Sequence, residues 1–354
     1  MGVAGAPLAR CTAQLQKLPL AAAARIVYAG AMRFLYEDQL ATQPDAVAAV
    51  LRRPPVPALD AGRPVLFAGL GTSLHACRVA AAWHAATNGG AAVALDAHEL
   101  AVSLPIRKGD QVVAVSHGGG RFAAAVLAKA RAAGALTIAV VGEGAPEPAA
   151  DHVLRTCPEE RASTHTVSYL TALVTLGLLL RDRSLTAALQ SVPALLREAL
   201  ALLAPVEAAR RLVGREPVLV TGFGLDAITA SEAALKLKEA TYLWAEGISV
   251  ELALHGPPAA MRAGMGAISL TPAQDDGGRT ATLRAVFAGL GVESVTCGSA
   301  SEELRFPVCD PLVRPLVAMV PLQRLAAEIA RLTGSSPDTI HREVEPWKSA
   351  MRLG

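Results

Sequence analysis

Lys236, Glu239 and His255 are residues of the types that move protons at carbon, and two of them are spaced to act together. In the run Glu232-Ala-Ala-Leu-Lys236-Leu-Lys238-Glu239 the lysine and the glutamate are three positions apart, so a helix puts both on one face. A carboxylate held there can take a proton from one carbon and return it to the next. An ammonium beside it stabilises the enolate that develops, or assists an amine that leaves. An imidazole titrates near neutrality and can carry a proton between a ring oxygen and a hydroxyl. Taken singly these residues are ordinary. A Lys–Glu pair at this spacing is usually a solvated ion pair, and a histidine before Gly256-Pro257 is usually a loop residue.

Two glycine loops have the form of anion sites. Pro64 to Ala68 reads as a buried strand, Gly69-Leu70-Gly71-Thr72-Ser73 follows it, and the Ala-rich stretch His75 to Thr87 reads as a helix. Backbone N–H groups at such a helix start, with two hydroxyls beside them, can hold an anion. A second strand, Gln111 to Val115, runs into Ser116-His117-Gly118-Gly119-Gly120-Arg121, where the glycines permit close approach and Arg121 offers a fork for phosphate or carboxylate. The plain alternative is a pair of turns with Arg121 in solvent. In an open α/β sheet, loops after neighbouring strands converge at the carboxyl edge, where ligands bind.

The elements that must position these loops are short apolar runs alternating with Ala-rich helices, the pattern of βαβ units and a parallel sheet. Further strand-like runs are Ala92 to Leu95 and Leu136 to Val141. A polar-faced helical segment, Ser184 to Arg215, comes next, and then the pattern restarts at Pro217 to Thr221 with Gly222-Phe223-Gly224. Ala267 to Thr271 and Glu293 to Thr296 continue it. Two strand–glycine openings imply two copies of one α/β unit. The expected organisation is an N-terminal helical extension over 1–45, a first domain over 46–195 and a second over 196–354 with a C-terminal tail.

Composition agrees and excludes several classes. Hydrophobic residues make up 52% and aromatics 4%, so the cores are built from Ala, Val and Leu, which suits helices on parallel strands. The net charge of +2 is well mixed, with no basic stripe interleaved with aromatics, so no nucleic acid partner is expected. Cys11, Cys77, Cys157, Cys297 and Cys309 lack metal-ligand spacing and fit a reducing, cytoplasmic compartment. The apolar run Leu18 to Ala24 is bracketed by Lys17 and Arg25 and is too short for a signal peptide. Ala162 to Leu180 carries no charge and approaches a bilayer span, but its polar residues crowd its first half. It reads as a buried helix whose start faces a polar site, and no membrane partner is expected. Gly69-Leu70-Gly71 lacks the third glycine and downstream acid of a dinucleotide fingerprint, and the eight histidines form no metal motif, so neither cofactor nor metal is expected.

Together these residues resemble a known family. Gly-x-Gly-Thr-Ser at 69–73, the serine-bearing glycine loop at 116–121 and Ala162-Ser163-Thr164 opening a helix resemble sugar isomerase (SIS) domains. More specifically, Glu232 to Glu239, Ala245-Glu246 and Leu254-His255-Gly256-Pro257 resemble the isomerase part of glucosamine-6-phosphate synthases, including the interval from Glu239 to His255. Gln43-Pro44 and Val320-Pro321-Leu322-Gln323 resemble that family's opening segment and last helix, and the resemblance covers roughly residues 34 to 345. It implies two flavodoxin-like doubly wound parallel-sheet SIS domains in tandem. It also implies Glu239 as enolisation base, His255 as ring opener and Lys236 as electrostatic partner. Gly71, Thr72, Ser73, Ser116, His117, Gly118, Gly119, Arg121, Ser163 and Thr164 would hold a small, phosphorylated sugar. In the family the histidine reaches the site from the other subunit, so a homodimer with shared sites is implied.

The chain departs from the family's Ser-x-Ser-Gly-Glu-Thr loop: Gly118 replaces the second serine, Gly120 the acid and Arg121 the threonine. Each lost hydroxyl removes a hydrogen bond of about 0.5–1.5 kcal/mol, more toward a charged phosphate. His165 stands where the family often has lysine, and Pro337 to Glu343 replaces the tail that carries a site lysine, with Lys348 out of register. The sequence has no counterpart of the family's glutaminase domain, and Cys11 lies in no nucleophile setting, so amidotransfer by this chain alone is not expected. The expected activity is that of an isomerase, or of a deaminase or deglycase, on a phosphosugar or amino sugar. The alternatives are a regulatory protein that binds phosphosugar without turnover, and a secondary-metabolism enzyme whose sugar carries a different anion.

Overall fold

Helices cover both faces of two five-stranded parallel sheets, which is why the central strands are continuous apolar runs rather than alternating ones. The computed structural model describes residues 33–54, 57–87, 90–300 and 302–352. The expectations for Leu18 to Ala24, for Cys11 and for most of the N-terminal extension lie outside the described residues.

In chain order the first half comprises α1 (Leu35–Leu51), β1 (Val65–Gly69), α2 (Thr72–Thr87), β2 (Ala92–Asp96), α3 (Ala97–Val102), β3 (Gln111–Val115), α4 (Arg121–Ala132), β4 (Leu136–Val141) and β5 (His152–Arg155). Helices α5 (Val167–Leu180), α6 (Arg183–Ala201) and α7 (Val206–Leu212) lead to the second half. That half comprises β6 (Val218–Gly222), α8 (Leu225–Thr241), β7 (Ala245–Ser249), α9 (Val250–Leu254), β8 (Gly266–Leu270), α10 (Arg279–Gly289), β9 (Glu293–Gly298) and β10 (Leu304–Arg305). Helices α11 (Arg314–Val317), α12 (Met319–Thr333) and α13 (Trp347–Ala350) follow.

The first sheet has the order β2-β1-β3-β4-β5 and the second, read from its other edge, β7-β6-β8-β9-β10. Numbered within each half, both are 2-1-3-4-5, the flavodoxin-like winding, so the repeated strand–glycine openings mark one architecture used twice. The strands that the sequence pattern misses are β5, β7 and β10. They lie at or beside sheet edges and carry charges or too few residues for an apolar run. Helix α2 begins at Thr72 rather than His75. Its first turn folds back over the end of β1 because Gly69 has no side chain: a Cβ there would lie 2.6 Å from the Ser73 carbonyl carbon. Gly222 serves α8 in the same way, its Cβ position 2.3 Å from the Asp226 oxygen.

One apolar core runs through both halves. Phe67, Trp83 and Val113 of the first and Val220, Ile268 and Val295 of the second share it with Leu189 and Leu196 of α6 and Leu325 and Ile329 of α12. The Trp83 indole N–H donates to the Leu312 carbonyl at 2.9 Å, pinning α2 to the segment before α11. On α5 every residue except Leu178 is buried. No single helix among the described residues is long and apolar enough to cross a membrane.

The start of α5 is held from within. The buried carboxylate of Glu160 accepts from the backbone N–H of Thr166, Val167 and Ser168 at 2.8–3.0 Å, and from Gln39 Nε2 on α1 at 2.8 Å. An internal anion thus occupies the helix terminus that the sequence offers to a ligand. Burial alone would raise the Glu160 pKa, but the Ser168 and Thr166 hydrogen bonds and nearby His165 together hold it below the ordinary value. The tail completes the frame. The Asp338 carboxylate accepts from Leu35 and Tyr36 N–H at 3.0 and 2.9 Å, capping α1, while the His341 ring stacks between Tyr242 and Trp347.

A carboxylate with a lowered pKa stabilises the fold above its unfolded pKa, and that contribution disappears as pH falls through the folded value. Glu160→Ala is expected to cost roughly 2–4 kcal/mol at pH 7, because it strands several buried N–H groups at once. Urea midpoints measured from pH 7 down to 3 should show the difference between wild type and variant shrinking below about pH 4.5, the ordinary carboxyl range.

Candidate active site

Helix α8 brings Glu232, Lys236 and Glu239 onto one face, four and then three positions apart. Lys236 is the anomaly. Its side chain is 1% exposed, yet its ammonium lies 2.6 Å from Glu239 Oε2 and 3.5 Å from Glu232 Oε1. Burial would lower its pKa, but the Glu239 and Glu232 carboxylates outweigh this and hold it above the ordinary lysine value. Glu232 is fully buried, whereas the Glu239 side chain is 26% exposed, so Glu239 is the member of the cluster that opens toward solvent. The buried phenol of Tyr36, which donates to the Gln323 carbonyl at 3.2 Å, is pushed up by burial and by Glu239, Glu160 and Glu232. Gln43 Nε2 donates to Gln323 Oε1 at 2.8 Å, so the two distant segments of the resemblance meet behind the site.

The first half reaches this cluster through α2. Thr72 Oγ1 donates to Glu232 Oε1 at 3.1 Å, and His75 Nδ1 lies 2.7 Å from Glu232 Oε2. Sequence reasoning placed Thr72 at the anion loop and missed both His75 and Glu232. The available signal was spacing: Thr72 and His75 are three apart on the first turn after the glycine loop, and Glu232 shares the Lys236 face. No local pattern says that the two faces touch.

The anion loops converge where topology puts them, at the carboxyl ends of β1, β3 and β4. Thr72, Ser73, His117, Thr156, His165, Ser168 and Tyr169 help line a pocket of about 30 Å³, room for one water. The His117 ring packs where a Gly142 Cβ would lie 2.6 Å from it, and stands edge-on to His165 with centroids 5.3 Å apart. Burial pushes the His117 pKa down, His165 adds to this, and Glu160 and Glu159 oppose it. Two buried polar atoms here, His117 Nδ1 and Tyr169 Oη, have no protein partner.

The remaining predicted binding residues are less directly placed. Ser116 Oγ accepts from Gly120 N–H at 3.0 Å, closing the loop on itself. Gly71 and Gly119 take left-handed φ of 52° and 70°, which the turns require. Gly118 is exposed, and the exposed Arg121 guanidinium lies over the Phe122 ring at 4.6 Å; neither lines the pocket. The Ser163 and Thr164 N–H groups donate to the carbonyls of Asp338 and Pro337, so the tail takes them, while Thr164 Oγ1 is buried without a partner. In the second half the matching strand ends are filled: buried Arg314 donates to Asp226 at 2.7 Å and to the Thr271 carbonyl at 2.7 Å. Burial pushes the Asp226 carboxyl up, and Arg314 only partly offsets it.

The polar contacts of His255 are to Glu251 rather than to the Lys236 cluster. It ends α9 with its side chain 69% exposed, Nδ1 2.9 Å from the Glu251 carbonyl and 3.3 Å from the Glu251 carboxylate. Among the described residues no three His, Cys, Asp or Glu side chains are grouped to hold a metal ion.

Comparison with known proteins identifies the family and the fold. A family model described as SIS domain matches residues 60–180. The chain is 32% identical over 139 residues to a glutamine–fructose-6-phosphate aminotransferase (isomerizing) of Thermococcus kodakarensis, covering 37% of this chain and 23% of that protein. It is 32% identical over 141 residues to a protein of the same name from Sphingobium yanoikuyae, covering 37% of this chain and 90% of the relative. The chain spans about a quarter of the length of most of the curated relatives it matches. The C-terminal domain of glucosamine-fructose-6-phosphate aminotransferase from Francisella tularensis superposes with a TM-score of 0.78 at 20% identity, covering 86% of this chain and 98% of that one. Glucosamine-6-phosphate deaminase from Thermotoga maritima gives 0.69 at 17%, covering 86% and 97%. At these identities the structures establish the fold.

Removing one partner of a buried ion pair leaves the other uncompensated. Lys236→Met should therefore destabilise the fold by about 3–5 kcal/mol, and adding Glu232→Gln should recover part of the loss. Urea denaturation at pH 7 checks both.

Proposed function

The chain belongs to the sugar isomerase (SIS) domain family, and we propose that it is an enzyme moving a proton between adjacent carbons of a phosphorylated keto or amino sugar. The observation that carries this reading is the buried Lys236 ammonium held 2.6 Å from the partly open Glu239 carboxylate. A fully buried lysine is a costly way to stabilise a fold, and perturbed charges of this kind concentrate at reactive sites.

Glu239 takes the proton from the carbon beside the carbonyl and returns it to the neighbouring carbon. The Lys236 ammonium stabilises the negative charge that appears on oxygen in between. The carboxyl edge of the first sheet, above the water-sized pocket, receives the sugar's anionic end, with the partly exposed Ser73, His117 and His165 as candidate donors. An amino sugar would follow the same course: the proton shift gives an imine at C2, and addition of water there breaks the C–N bond, forms the ketone and releases ammonia, which is the deaminase form of the reaction. The similarity to a glutamine–fructose-6-phosphate aminotransferase and, in fold, to a glucosamine-6-phosphate deaminase supports this substrate class.

His255 completes the site from a second copy of the chain. Its exposed imidazole contacts Glu251 rather than its own chain's cluster, and Leu252 beside it is 63% exposed, an apolar side chain that a second copy would cover. A rival reading, binding without turnover, draws on the closed Ser116 to Gly120 turn and the water-sized pocket.

Incubation with fructose 6-phosphate or glucosamine 6-phosphate in D2O, followed by NMR, tests the reaction. Deuterium should enter C1 or C2, and Glu239→Gln should slow this by about 10²–10⁴-fold. Saturable binding without exchange would favour the rival. Shared sites make a second prediction. Glu239→Gln and His255→Asn should each be inactive alone, and co-expressed chains should regain up to about a quarter of wild-type activity, because half the dimers then hold one intact site. No recovery would remove the shared-site arrangement.

A further inference from the structure

Glu232 has no exposed surface, so each of its oxygens must find partners within the protein. Oε1 is 3.1 Å from the Thr72 hydroxyl and 3.5 Å from the Lys236 ammonium, and Oε2 is 2.7 Å from His75 Nδ1. A carboxylate oxygen accepts, so the tautomer of His75 with its proton on Nδ1 satisfies Oε2, and the contact fixes the ring's orientation. Lys236 meanwhile is closer to Glu239, at 2.6 Å, than to Glu232. Two carboxylates compete for one buried ammonium, and the better-satisfied one yields it. His75 supplies the shortest contact to Glu232, and it comes from the other half of the molecule.

We propose that His75 is a positioning residue. By saturating Glu232 it commits the Lys236 ammonium to Glu239, and so couples the first half's α2 to the proton-transfer chemistry on α8. The inference rests on the reading of Glu239 as base, but its geometric part stands apart from that reading. Without the imidazole, Glu232 Oε2 is buried and unpaired. The Lys236 ammonium, already 3.5 Å from Oε1 of the same carboxylate, is a charged donor that can turn to it, and swinging toward Glu232 takes it from Glu239. The His75 side chain is mostly buried, 13% exposed, so its replacement also removes packing, and His75→Asn separates the loss of that packing from the loss of the hydrogen bond.

The test uses His75→Leu and His75→Asn in the full chain, the amide N–H of asparagine standing in for Nδ1–H. A crystal structure of His75→Leu should show the Lys236–Glu239 contact opened beyond hydrogen-bond distance and Lys236 moved onto Glu232. Retention of the contact overturns the proposal whatever the activity. In the D2O exchange assay with fructose 6-phosphate, His75→Leu should lower kcat by roughly 10–100-fold with KM within about twofold, and His75→Asn should recover most of it. Equal losses in both variants, or a rise in KM alone, would overturn it too. Urea midpoints of both variants identify any loss that comes from unfolding. A wild-type protein without exchange would sink the assignment of Glu239 as base, and the crystal structure would still decide what His75 holds.

Discussion

A buried cation needs anions around it, and the position of Lys236 imposes that need on the whole molecule. Its ammonium is satisfied by Glu239 and Glu232 on its own helix, but Glu232 is in turn satisfied by Thr72 and His75 on the other half. The two halves must therefore be docked for the cluster to be electrically complete. In a low-dielectric interior an uncompensated member of such a set costs several kcal/mol, which makes the α2–α8 contact a condition for forming the site. The shared apolar core holds the same two helices together over a larger area, so packing and electrostatics select one arrangement.

The two halves share a winding but have diverged in what fills their strand ends. In the second, Arg314 and Asp226 form an internal ion pair there, and Arg314 also takes the Thr271 carbonyl. In the first, the corresponding edge holds His117, His165, Tyr169 and several hydroxyls around a small pocket with two unpartnered polar atoms. Under the proposed function, the second half would contribute through the Lys236–Glu239 face of α8 rather than through its own strand ends.

The parts nearest the site are tied to distant sequence. Asp338 caps α1, its neighbours hold the backbone of Ser163 and Thr164, and Gln39 of α1 reaches Glu160 at the start of α5. Helix α1, the α5 terminus and the tail thus form one hydrogen-bonded frame around the charged cluster. The tail replaces a ligand at the N–H groups that the resemblance assigns to sugar binding.

What the sequence by itself determined is whatever rests on local periodicity. Apolar runs such as Gln111 to Val115 and Leu136 to Val141 can only be buried strands, and the glycine at the end of β1 and of β6 gives away the strand-to-helix turn, so the double winding was legible. The Lys236–Glu239 pair was legible for the same reason, because residues three apart on a helix must be neighbours. Edge strands β5, β7 and β10 were not, since half-solvated strands need no apolar run. Contacts between elements were decided only by the tertiary structure. Nothing local to His75 indicates Glu232, which is 157 residues away, and nothing near Ser163 announces that Asp338 will occupy its N–H. Such pairings depend on how two helices or a tail dock, a matter of whole-surface packing and mutual satisfaction of buried polar groups that no single stretch of chain encodes.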